Sequence, residues 1–254
     1  MLDACRVDTV KSSTDWPPAV SVVNEAGGSD VVLICEHASN HLPAEYGRLG
    51  VSEADLQRHI AWDIGAAEVT LGLSRALDAP AFLGTYSRLL VDLNRPFGVP
   101  SSMPARSEAT DIPGNRELCP AERERRRRLM FQPFHDRIAS FLDARAETER
   151  PTRIVTIHSY TPVFLGERRP WHAGILFERS EAFARQVIEG LAEDRSLLIG
   201  TNVPYGIDRA EDYAIPVHGT DRGHPAILVE IRHDLIADER GVAEWTERLR
   251  AVLA

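Results

Sequence analysis

Three runs along the chain are apolar at nearly every position: Val31-Val32-Leu33-Ile34-Cys35, Ile154-Val155-Thr156-Ile157 and Ala226-Ile227-Leu228-Val229. A strand with one wet face alternates apolar and polar residues, so continuous runs of this length belong to strands buried on both faces. From Ser52 to Leu77 the apolar positions recur at helical spacing. Ser52 suits the N-cap, and Glu53 and Asp55 fall in the first turn, where carboxylates complement the helix dipole, so the pattern predicts one long helix. Ala81 to Leu93 is predicted as a pair of strands or one bent strand ending at Asn94-Arg95-Pro96. Residues 98–119, with Pro100, Pro104, Pro113, Gly98 and Gly114, predict a long surface loop of the kind that walls active sites. A helix from about Ala121 to Ala146 precedes the second apolar run. After a loop around Gly166 to Trp171 come a strand at Ala173–Phe177, a helix at Glu181–Leu191, a loop carrying Pro204-Tyr205-Gly206, the third run, and a terminal helix from Gly241. Residues 1–28 are polar and broken by prolines and glycines, which predicts an N-terminal arm or short edge element. Alternating strands and helices imply an α/β fold: a central mixed, mostly parallel sheet with helices on both faces, and residues 1–254 as a single domain.

Composition narrows the function. With 254 residues, 43% hydrophobic and 26% charged, the chain is an ordinary globular protein, and its net charge of −9 argues against nucleic acid as a partner. The basic run Arg125-Arg126-Arg127-Arg128 is mixed with Glu122 and Glu124 and reads as a solvated helix face. Cys5, Cys35 and Cys119 are odd in number and lack metal-type spacing, so a reducing compartment is expected. Met1 to Asp8 is acidic without an apolar core, and no stretch has the length of a membrane span. A cytoplasmic protein that does not bind membrane is the expectation; the oligomeric state, a homo-oligomer included, is left open.

The chemistry lies at the ends of the three runs. The first continues into Glu36-His37-Ala38-Ser39-Asn40, the second into His158-Ser159-Tyr160, the third into Glu230-Ile231-Arg232. In open α/β sheets ligands bind outside the carboxyl ends of the strands. Two histidines and a glutamate there supply what a hydrolytic zinc site needs: neutral imidazoles for Zn2+, an open coordination position for water, and a carboxylate to take a proton. A lone histidine after an apolar run also fits a hydrogen-bonded structural residue; the repeat of the pattern is what favours metal.

Five segments together resemble the N-formylglutamate amidohydrolase family: Glu36–Asn40, His59–Ala66, Ser87–Pro96, Ile157–Pro162 and Glu230–Ile236, in order over roughly residues 30–240. The family is in turn similar to zinc carboxypeptidases and aspartoacylases, which implies a zinc-exopeptidase-like (phosphorylase/hydrolase-like) fold. The resemblance implies His37 and His158 as zinc ligands and leaves the third open. Asn40 holds the position of a carboxypeptidase glutamate, so Asp63 is taken as its substitute, on the predicted helix with His59 one turn before it. One of that pair would ligate while the other orients or contacts substrate; the alternative is that they bond each other or cap local backbone. The resemblance implies Glu230 as general base and then acid, Arg88 as the group that steadies the oxyanion, and Asn94 and Arg95 as a carboxylate clamp. Strand alternation puts Arg232 on the face of Glu230, as its ion-pair partner and a substrate contact. His172, His218, His224 and His233 are expected to be exposed loop residues, with His218 able to reach the site rim, and Trp62, Trp171 and Tyr213 to be packing residues. The expected reaction is zinc-dependent hydrolysis of a small N-acyl amino acid with a free carboxylate, N-formylglutamate to formate and glutamate. Peptidase or other deacylase chemistry is the alternative, and non-catalytic binding of an acyl amino acid a weaker one.

Overall fold

The computed structural model describes residues 16–254; Cys5 and the first half of the expected N-terminal arm lie outside them. The three apolar runs form β2 (Val31–Cys35), β6 (Arg153–Tyr160) and β11 (Ala226–Arg232), following the edge strand β1 (Val20–Val23) and flanking β3 (Ala81–Gly84), β9 (Ala173–Leu176) and β10 (Ile199–Thr201). These seven strands make one sheet in the order β1-β3-β2-β6-β11-β9-β10. The middle four, β3, β2, β6 and β11, are mutually parallel; β1 runs antiparallel to β3, and the parallel pair β9–β10 runs antiparallel to β11. The sheet is therefore mixed and mostly parallel, as expected. Two hairpins lie apart from it: β4 (Arg106–Ser107) with β5 (Thr110–Asp111), and β7 (Val163–Phe164) with β8 (Glu167–Arg168).

Helices cover both faces, which is why the middle strands carry no polar alternation. Val31, Leu33, Val155, Ile157, Ile227 and Val229 pack in one core layer with α2 (Ala66–Leu77), α5 (Glu181–Leu191) and α6 (Glu239–Leu253). Val32, Ile34, Ile154 and Leu228 point the other way, into a second layer with α4 (Gln132–Glu147), which α3 (Pro120–Arg126) precedes. A π-helical turn at Arg127–Phe131 joins α3 to α4, with the Gln132 amide donating to the Arg127 carbonyl. Pro133 follows directly and has no amide to donate, so the predicted helix runs on with one wide turn instead of breaking.

Three expectations need correction. The predicted helix from Ser52 to Leu77 is two: α1 (Glu53–Leu56), capped by Ser52 as expected, and α2. Between them Gly65 takes φ +79°, and a Cβ there would meet the Ile236 carbonyl oxygen at 2.2 Å, so the chain turns on a residue that must be glycine. The predicted strand over Ala81–Leu93 stops at Gly84. Arg126, placed on a solvated face, is buried: it bonds Glu122 at 2.8 Å, the Leu90 carbonyl at 3.0 Å and Asn115 Oδ1 at 2.7 Å. Asn115 in turn donates to the carbonyls of Leu89 and Pro104. These two side chains brace the irregular stretch from Ser87 to Asn94, where a strand ladder would otherwise satisfy the backbone.

Candidate metal centre

The site forms at the carboxyl ends of β2, β6 and β11. His158 and Glu230 are Cα partners across the β6–β11 ladder, on the face that points towards α4. Glu36 and His37 follow the last residue of β2. Asp63 comes from the irregular segment between α1 and α2. Its amide donates to the His37 carbonyl at 2.9 Å, and the next carbonyl, of Ile64, accepts from Ser159 Oγ at 2.8 Å, so that segment is stitched to both strand ends. The helical i−4 relation expected between His59 and Asp63 is absent, because no helix spans them.

Asp63 lies between the two histidines. His158 Nδ1 is 2.8 Å and His37 Nδ1 is 3.3 Å from Asp63 Oδ2, and the three ligand atoms lie within 4.8 Å of one another. All three residues are buried. Each ring turns its other nitrogen to another carboxylate: His37 Nε2 to Asp92 Oδ1 at 2.7 Å, and His158 Nε2 to Glu36 Oε2 at 3.0 Å. An outer carboxylate that holds Nε2–H fixes the ring and leaves Nδ1 to face a metal. A tetrahedral ion with bonds of about 2.0–2.1 Å holds its ligand atoms roughly 3.3–3.4 Å apart. The His37–Asp63 separation already has that value, and the His158–Asp63 contact must open by roughly half an ångström. Geometry and donor chemistry therefore fit a divalent ion such as zinc. Asn40, at the carboxypeptidase position, instead donates to the Leu56 carbonyl at 2.9 Å.

Charge follows the same arrangement. Burial alone would raise the Asp63 carboxyl, but His37 and His158 outweigh it and hold it well below the usual range. Asp92, buried likewise, is held low by Arg88 and His37. At His158 the burial penalty is overcome by Glu36 and Asp63, so its pKa is raised. Glu230 is pushed up to about 7 by burial, which the charge of His158 only partly offsets, and its Oε2 makes no hydrogen bond.

A cavity of about 440 Å³ opens over this cluster, lined by His37, Asp63 and His158 with Glu230, Arg88, His59, Asn94 and Arg95. Larger surface clefts lie beside α2 and α6 and along α5, but among the described residues the one group of ligating side chains that could hold a metal is the cluster of His37, Asp63 and His158. The outer wall comes from Tyr160, Thr161, Phe164 and residues of the 205–212 loop, not from the 98–119 segment expected to supply it. Arg88 donates to Asp92 Oδ2 from Nε at 3.0 Å and Nη2 at 2.6 Å, and to Asp63 Oδ1 at 3.3 Å. His59 stands 3.6 Å from Glu108 and stacks on His233, so the 98–119 segment reaches the rim through Glu108 alone among these contacts. Arg232 is a correction: it does not line the cavity, and its partners are Asp234, at 2.7 and 3.2 Å, and the carbonyls of Pro170 and Trp171. The strand's last residue bends its long side chain towards the turn that follows, where a nearer carboxylate waits.

Sequence reasoning missed the outer carboxylates. Asp92 lies inside a segment singled out for its neighbours Asn94 and Arg95, and Glu36 directly precedes His37, where adjacent residues of an extended chain face opposite ways. That alternation is what lets Glu36 grip His158 while His37 reaches Asp63. His218, expected to be exposed, is buried, with Nε2 2.9 Å from His135 Nδ1, whose Nε2–H donates to the Leu93 carbonyl at 2.9 Å.

The family model for N-formylglutamate amidohydrolase matches residues 29–237. A solved gene product of Agrobacterium tumefaciens is 40% identical, with 93% of this chain and 94% of that one covered and a TM-score of 0.90. N-formylglutamate amidohydrolase of Ralstonia eutropha is 16% identical, covers 93% of this chain and 96% of its own, and has a TM-score of 0.74, a likeness of fold. No curated protein matches the chain. The matched span takes in β2, β6, β11 and every member of the His37, Asp63, His158 cluster, and on that match the chain belongs to the N-formylglutamate amidohydrolase family.

Proposed function

We propose that the protein is a zinc-dependent amidohydrolase that cleaves the acyl amide of a small N-acyl amino acid or a derivative of one, N-formylglutamate being the substrate that the family resemblance implies. The observation that carries this reading is the convergence of His37, Asp63 and His158, with outer carboxylates behind both rings and an unpaired Glu230 oxygen beside them. His37, Asp63 and His158 would hold a divalent ion, which would supply Lewis acidity at this end of the sheet.

The chain's own groups account for the proton transfers. Glu230, buried and without a hydrogen bond at Oε2, is the acceptor for the proton of the attacking water. Its raised pKa suits a group that must then return the proton to the leaving amine. Arg88, fixed by Asp92 and Asp63, is a preorganised cation for the oxygen on which negative charge develops. The products are the carboxylic acid and the free amine. Non-catalytic binding of an acyl amino acid leaves Glu230 without a purpose.

The test is metal analysis of protein purified without added metal, followed by turnover of N-formyl, N-acetyl and N-succinyl amino acids. Roughly one zinc per chain and release of the acid and amine from at least one of these compounds are expected. Absence of bound zinc and of turnover after zinc is added would sink the reading.

A further inference from the structure

Arg95 stands on the wall of the cavity, but its guanidinium already has a carboxylate. Nη1–H donates to Asp212 Oδ1 at 3.0 Å and to the Glu211 carbonyl at 2.6 Å, and the Asn94 amide reaches the same Asp212 oxygen at 3.5 Å. The other Asp212 oxygen accepts from the Asp208 amide at 2.8 Å. The carboxylate is thus held on both sides, with only 13% of the side chain exposed. Asn94 is committed as well: its Oδ1 accepts from the amides of Tyr213 and Ala214.

The other lining arginine is no freer. Arg88 is held by Asp92 and Asp63, and these two are the arginines that line the cavity among the described residues. Asp208 and Glu211 add further negative charge beside Arg95. A substrate carboxylate arriving at this wall has two options. It displaces Asp212, which then loses its cation in a mostly buried position, or it stops next to a like charge where water screens poorly. Both penalise an acid far more than a neutral compound of the same shape, which is how a site selects by repulsion.

We propose that Asp212 is a specificity-determining residue: by occupying the Asn94–Arg95 pair it excludes a substrate carboxylate from that wall and selects acyl compounds that present an uncharged or cationic group there. This rests on the amidohydrolase reading, and it replaces the carboxylate-clamp role that the family resemblance implies for Asn94 and Arg95. Burial of Asp212 raises its pKa and Arg95 opposes the rise, consistent with a carboxylate that depends on its arginine.

The experiment compares N-formylleucine with N-formylleucinamide on the zinc-loaded protein, as wild type, Asp212→Asn and Asp212→Ala. Asparagine keeps the size and the acceptor for the Asp208 amide; alanine empties the pair. Turnover gives the ratio of kcat/KM, and calorimetric binding to zinc-loaded Glu230→Gln protein carrying the same Asp212 residues gives a ratio without catalysis. Wild type is expected to prefer the amide by at least about tenfold, and each variant to move the ratio towards the acid by at least about tenfold, the factor that 1.4 kcal/mol represents. A wild type that prefers the acid, or ratios that neither variant moves, overturns the role of Asp212. If neither compound is turned over, the amidohydrolase reading suffers and the binding ratio decides the question of Asp212. If neither compound binds, both fall.

Discussion

Zinc uptake by the metal-free protein should expel a proton from His158, and the structure says which one. A carboxylate only accepts hydrogen bonds, so a ring nitrogen facing one carries a proton. His158 faces Asp63 Oδ2 through Nδ1 at 2.8 Å and Glu36 Oε2 through Nε2 at 3.0 Å, and these two charges outweigh the cost of burying the cationic ring. Metal at Nδ1 needs that nitrogen bare, while Nε2–H stays on Glu36. Each proton released makes affinity rise about tenfold per pH unit, roughly 1.4 kcal/mol, and His158 releases its own for as long as the pH lies below the raised pKa of its ring. The sign for stability follows. A histidine whose folded pKa exceeds its unfolded value of about 6.5 contributes stability that is full below that value and is lost as pH rises through the folded one. The metal-free protein should therefore lose stability with rising pH over this window, while the increment from saturating zinc grows. The assay is calorimetric titration of zinc into chelator-stripped protein at one pH in buffers of different ionisation enthalpy, where the slope of heat against that enthalpy counts protons. Glu36→Gln removes one of the two charges that keep the ring cationic, so it should lower the count as well as weaken zinc binding by roughly 10–100-fold, the usual effect of losing an outer partner. Heat that does not depend on the buffer near neutral pH, or a count that Glu36→Gln leaves unchanged, would refute the reasoning.

Three further outcomes are expected. Glu230→Gln should retain zinc and melt close to wild type while turnover falls roughly 10²–10⁴-fold; near-normal rates would remove Glu230 from the chemistry. Gly65→Ala forces a side chain into φ +79° and against the Ile236 carbonyl. Strain alone costs about 1–3 kcal/mol, and with Asp63 two residues away zinc affinity should fall too; an unchanged melting temperature contradicts this. Arg126→Met should destabilise by about 3–5 kcal/mol, because Glu122, Asn115 and the Leu90 carbonyl lose a buried partner. A denaturant melt with an unmoved midpoint would show that the brace on residues 87–94 is dispensable.

How far the sequence could be read depended on whether a feature was periodic. β2, β6 and β11 announce themselves because strands buried on both faces need apolar residues at every position, and once they are placed, His158 and Glu230 are placed with them. The helix over Glu181–Leu191 has its bounds for the same reason. What resists such reading is backbone satisfied by single side chains. The stretch from Ser87 to Asn94 carries strand-like apolar residues, yet Arg126 and Asn115, from well down the chain, take up its carbonyls. A run of four arginines gives no hint that one of them is turned inward. Asp63 is placed among the site residues on a helical argument that the structure does not support: apolar spacing continues through Gly65, while the first helix stops at Leu56 and the second begins only after the positive φ of Gly65.

The Asn94–Arg95 pair shows the same limit at the level of function. A motif states which donors are present, not whether another part of the chain has already claimed them, and Asp212 lies more than a hundred residues away in a loop with no periodic signal. The candidate metal cluster is less ambiguous, because Glu36, Asp63 and Asp92 all aim at two rings and outnumber the one arginine among them, an excess of buried charge that a divalent ion would offset. The Arg95–Asp212 pair is already neutral in itself, so it makes no comparable demand for a ligand. The chemistry of this protein is therefore more firmly written in its side chains than the identity of its substrate, and family membership transfers the first more safely than the second.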